Sequence, residues 1–68
     1  MKLFPNPNKG EFSIQIDNDD NIASIYDLKG QIILTQNLKK GVNHFKVSKA
    51  GFYFLGINNF EYIPLIIK

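Results

Sequence analysis

The chain has no cysteine, no tryptophan and no arginine, and it has a single histidine. Without cysteine, no disulfide can support a small core, and no thiolate is available for catalysis or metal binding. Without arginine, the chain lacks the bidentate donor that nucleic-acid readers concentrate against phosphate and guanine. Its eight lysines and six acids leave a formal charge of only +2. Lys9, Lys29, Lys39, Lys40, Lys46 and Lys49 fall mostly at expected turns, where solvated charge is ordinary. No apolar run approaches the roughly 20 residues of a membrane-spanning helix, and no secretory leader pattern follows Met1. No window of helical length carries an amphipathic stripe.

What is present reads as a small β domain. At 68 residues the chain forms one domain, and a domain of this size buries about 60% of the surface of its unfolded chain. A hydrophobic content of 44%, rich in Phe, Tyr and Ile, supplies a compact core and argues against disorder. The most distinctive segment is Phe4-Pro5-Asn6-Pro7-Asn8-Lys9-Gly10. Two prolines one residue apart fix φ and push Phe4 and Asn6 into extended geometry. Asn8 and Gly10 then supply a turn. The result is a rigid corner, which serves stability or recognition rather than catalysis.

From there the period is two. Phe12, Ile14 and Ile16 alternate with Glu11, Ser13 and Gln15, as in a strand with one buried face. Turn clusters separate further strand segments at 22–26, 31–36, 42–47, 52–57 and 60–67, with Asn58-Asn59 as a hairpin turn. With the short segment 2–4 this makes about seven strands, the pattern of an all-β, small Ig-like antiparallel sandwich. An open five-stranded barrel is the competing architecture.

Little in the chain carries chemistry. Asp17, Asp19 and Asn21 match alternate positions of a calcium loop, but Ile22 stands where that loop needs glycine and Leu28 where it needs a bidentate glutamate. The segment reads as a polar hairpin turn. His44 lies mid-strand as a solvent-facing residue, and Glu11, Asp27 and Glu61 are spread singly over strands and turns, without the pairing that acid–base work needs. Catalytic, metal and cofactor sites are therefore all expected to be absent. Phe52 and Phe54 share one strand face while Tyr53, Leu55 and Ile57 share the other. Such a strand reads as the centre of a core, whereas an exposed aromatic face would stack sugars or bases. Gly51-Phe52-Tyr53 resembles the tyrosine corner of Ig-like sandwiches, where a Tyr bonds backwards to the chain.

Five motifs in order resemble the type A C-terminal sorting domain of type IX (Por) secretion substrates of Bacteroidetes. The aromatic-Pro-Asn-Pro opening is Phe4-Pro5-Asn6-Pro7, followed by Gly10 and the alternating strand. A strand then runs into Asp27 and Gly30, Leu38, Gly41 and Asn43 follow, and Gly51-Phe52-Tyr53 supplies the Gly-x-Tyr strand. Leu65-Ile66-Ile67-Lys68 matches the final apolar strand with its lysine. The chain departs from the pattern at Gly56, where a polar residue is usual, and at Tyr62-Ile63-Pro64, where basic residues are common. Both changes leave the expected fold intact and weaken a reading of the last strand through its charge.

The resemblance implies a non-catalytic address label at the C-terminus of a larger precursor, from which these 68 residues are a piece. It implies passage through the periplasm to the cell surface or the medium. Its implied partners are the outer-membrane translocon, its shuttle protein and a sortase-like protease, with neither nucleic acid nor membrane insertion involved. The recognition candidates are Pro5, Asn6, Pro7, Gly10, Gly30, Gly51, Tyr53, Leu65, Ile66, Ile67 and Lys68. Glu61 to Lys68 is the strand whose free edge a partner is expected to extend. The alternative is a small accessory sandwich that binds glycan or polypeptide through exposed aromatics.

Overall fold

Period-two alternation resolves into seven strands in a computed structural model that describes residues 2–19, 21–58 and 61–68. They are β1 (Lys2–Phe4), β2 (Glu11–Ile16), β3 (Asn21–Tyr26), β4 (Ile32–Leu38), β5 (Gly41–Lys46), β6 (Gly51–Ile57) and β7 (Glu61–Ile67). The expected strand bounds shift by a residue or two for local reasons. Gln31 belongs to the β3–β4 turn because its carbonyl accepts the Asp27 N–H. β4 continues to Leu38, which is buried in the core. Val47 leaves the strand ladder and donates its N–H to the Gly10 carbonyl at 2.7 Å. Asn59 of the expected hairpin turn and Phe60 at the expected start of the last strand lie outside the described residues.

The strands form two antiparallel sheets, ordered β1-β2-β5 and β4-β3-β6-β7. This is the sandwich rather than the barrel. Its pairing is that of an Ig-like domain whose fourth strand has joined the second sheet. Phe12, Ile14, Ile16 and Phe45 of the smaller sheet meet Ala23, Ile25, Tyr53, Leu55, Ile57, Leu65 and Ile67 of the larger one. Phe12 and Phe45 are register partners, and their rings stack at 5.3 Å and 6°. Such a pair is worth about 0.5–1.5 kcal/mol beyond its buried area. Ile14, Ile25, Leu55 and Leu65 are fully enclosed, and truncating any of them to alanine costs about 2–5 kcal/mol.

Two expectations are corrected here. Phe52 and Phe54 do not pack in the core: they are 62% and 41% exposed on the outer face of the larger sheet. β6 is an inner strand of its sheet, yet among the described residues only one face of that sheet meets another layer. The segment Asp17 to Asn21 is also not a hairpin turn, because it carries the chain from β2 in one sheet to β3 in the other. The Asp19 carboxylate accepts the Lys40 N–H at 2.8 Å, tying this crossing to the β4–β5 corner.

Candidate recognition surfaces

The opening corner folds back on the last strand. Both X-Pro bonds, Phe4-Pro5 and Asn6-Pro7, are cis. The Asn6 side chain then behaves as a peptide unit beside β7. Its Nδ2 donates to the Pro64 carbonyl at 2.8 Å, and its Oδ1 accepts the Ile66 N–H at 3.1 Å. Two residues further, the Asn8 N–H donates to the Ile66 carbonyl at 3.0 Å and the Asn8 carbonyl accepts the Lys68 N–H at 2.7 Å. Odd-numbered residues of β7 face β6 in the antiparallel ladder, so Pro64, Ile66 and Lys68 turn their peptide groups outward. All four of the outward groups they offer are bonded to the corner, and proline offers no donor. The expectation of an open last strand is therefore corrected over 64–68: this stretch of edge is already occupied.

The corner is locked from within. Asn8 is buried, donating through Nδ2 to the Pro5 carbonyl and accepting the Gly10 N–H at Oδ1, 2.8 Å away. Gly10 has φ +115°, and a Cβ there would lie 2.6 Å from the Val47 carbonyl oxygen. Only glycine fits such a close backbone approach.

The candidate residues fall into three groups. Pro5, Asn6, Pro7 and Lys68 are exposed on the clamp, and Ile66 is half-buried beneath it. Leu65 and Ile67 point into the core, so a partner reading the folded domain does not touch their side chains. Gly51 and Tyr53 are the register partners of Ile67 and Leu65. Tyr53 Oη donates to the Lys49 carbonyl at 2.7 Å, which is the backward bond of a tyrosine corner. Gly30 stands apart, holding φ +85° in the β3–β4 turn. There the Asp27 carboxylate accepts the Lys29 and Gln31 N–H groups, both at 2.9 Å. Asn43 does similar work at the next corner, accepting the Lys39 N–H and donating to the Lys39 carbonyl.

One contact has no sequence signal. Ser13 and His44 are cross-strand partners, with Oγ and Nδ1 2.8 Å apart on the outer face of the smaller sheet, where His44 is exposed and Ser13 buried. A serine–histidine bond needs an orienting acid and an oxyanion site to perform acyl transfer. Among the described residues no acid bonds the imidazole, so the pair is a cross-strand link.

Comparison with protein families decides the wider question. The family model described as "Secretion system C-terminal sorting domain" matches residues 2–67. The chain belongs to this family. No curated protein and no solved structure matches it. As a type IX sorting domain, the chain is one of a family of sorting tags whose role is address rather than chemistry. Its motif residues acquire structural meaning: Asn6, Asn8 and Gly10 fasten the opening corner, Asp27 and Gly30 the first hairpin, Gly41 and Asn43 the β4–β5 corner, and Tyr53 the start of β6.

Proposed function

We propose that these 68 residues are the C-terminal tail of a larger precursor and direct its cargo through the type IX outer-membrane translocon to the cell surface or medium. The observation that carries this reading is the family match across residues 2–67. The tail passes through the periplasm folded and is handed to the translocon with its shuttle protein. A sortase-like protease then separates it from the cargo. The surface read is the exposed clamp of Pro5, Asn6 and Pro7 seated on the backbone of Ile66 and Lys68. Gly10, Gly30, Gly51, Tyr53, Leu65 and Ile67 serve recognition indirectly, by holding the fold that presents the clamp.

Fusion to a fluorescent reporter with a signal peptide, in a host with type IX machinery, tests the reading. The reporter is expected on the surface or in the medium, and retention in the periplasm overturns it. A Pro5→Ala/Pro7→Ala version divides the roles. If it stays folded and unsorted, the clamp is read; if it unfolds, the prolines act through stability alone.

A second reading has one observation in its favour. Phe52, Phe54 and Tyr62 form a solvent-facing aromatic surface, as an accessory glycan- or polypeptide-binding sandwich would have. Retention of the chain on immobilised polysaccharide would support that reading.

A further inference from the structure

The four edges of the two sheets are treated unequally. β1 is only three residues long, β5 ends on Lys46, and β7 is clamped by the corner and carries Pro64. Short length, lysine, proline and covering are the usual protections of a sheet edge. β4, Ile-Ile-Leu-Thr-Gln-Asn-Leu, is seven residues long and contains neither charge nor proline. Its one irregularity is the register shift at Ile33.

The ladder identifies which groups of β4 are free. The Asn58 N–H bonds the Ile22 carbonyl, so Ile22 and Ser24 turn their peptide groups toward β6, and Asn21, Ala23 and Ile25 turn theirs toward β4. Leu38, Gln36 and Leu34 answer on the β3 side. Asn37 and Thr35 therefore direct their N–H and C=O outward, and among the described residues no strand pairs with them.

A groove of about 700 Å³ opens where β4 begins and β5 ends. Its apolar lining includes Leu28, Ile33, Leu34 and Phe52, and Lys29, Lys46 and Lys49 stand around it. Asp27 is its one acid, and Asp27 Oδ1 already accepts two backbone N–H groups. A strand laid along β4 turns alternate side chains toward the smaller sheet, and at the Ile33 end those side chains enter the groove.

We propose that the open edge of β4 and this groove dock an extended polypeptide strand of another protein, one in which apolar residues alternate with acidic ones. The unpaired peptide groups of Thr35 and Asn37 call for a backbone, the groove for apolar side chains, and the three lysines for carboxylates. A second copy does not fit, because its own β4 has no acid and its lysines would face these. The inference rests on the edge and the groove and is independent of the sorting role.

The probe is a short peptide of alternating glutamate and valine, titrated into the 68-residue chain and followed by amide NMR. Shifts are expected at Thr35, Asn37 and the groove residues. A lysine–valine counterpart is expected to bind about tenfold more weakly or worse, and a version N-methylated at alternate residues to lose binding. Thr35→Pro removes an outward N–H without breaking a ladder bond, so it should weaken the glutamate peptide about tenfold. Thr35→Ala, which keeps the N–H but also loses the hydroxyl contact to Ser24, should bind as the parent does. Should Thr35→Pro fail to fold, the N-methylated probe carries the same test on the unaltered protein. No binding, equal affinity for both charge versions, retained binding of the N-methylated peptide, shifts confined to β1, β5 or the outer aromatic face, or dimerisation of the chain through β4 would each overturn the proposal.

Discussion

The two edges of the four-stranded sheet solve the same problem in opposite ways. On β7, every peptide group turned outward from Pro64 to Lys68 is bonded to the corner or, at the proline nitrogen, has no hydrogen to give. On β4, Thr35 and Asn37 turn theirs to solvent. The contrast teaches where a partner can add. The last strand, which the chain order makes the obvious edge, is closed by residues from the opposite end of the sequence. The internal β4 is left open. A label read on its clamp and extended at β4 would use its two edges for different purposes.

The largest expected effect comes from undoing the closed edge at its base. Gly10→Ala places a Cβ against the Val47 carbonyl oxygen at a φ that side chains rarely adopt. It should cost about 3 kcal/mol and lower the thermal midpoint. An unchanged midpoint would mean that the corner is not seated as described.

A smaller change tests the edges directly. Asn6→Ala removes both side-chain bonds to β7 at a cost of about 1 kcal/mol, because the site is solvent-exposed. Hydrogen exchange at the Ile66 amide should accelerate, while Thr35 and Asn37, already facing solvent, exchange as before. Ile66 protection that survives the substitution would erase the difference between the two edges.

The sandwich itself was legible because alternation of apolar residues is a local property of each strand. Tyr53 was legible too, since its backward bond spans only four residues. The clamp was not. Asn6 meets Pro64 and Ile66 across 58 and 60 residues, and nothing local marks an asparagine amide as a substitute strand. Ser13 and His44, 31 residues apart, were hidden for the same reason. Phe52 and Phe54 show a different limit. Alternation divides a strand into two faces but does not say which face another layer will cover.

The smallest effect concerns that uncovered face, and it joins Gly56 to Tyr62. Gly56 and Tyr62 are register partners on β6 and β7. A Cβ on Gly56 would stand 2.8 Å from the Tyr62 ring and 3.2 Å from that of Tyr26, and the two rings meet at 5.9 Å. The aromatic rings cover the glycine, which recovers packing that a bare backbone in a strand would lose. A side chain at 56 and a ring at 62 thus compete for one space. Gly56→Ala alone should destabilise by about 1 kcal/mol as Tyr62 is displaced. In a Tyr62→Ala background the same change should cost much less, because alanine suits a strand interior better than glycine by roughly 0.5–1 kcal/mol. Denaturant melts of the four proteins give the coupling directly. Additive costs would mean that the two positions do not share this space, and that the β7 side of the sheet tolerates a side chain at 56 as readily as the β4 side tolerates Thr35.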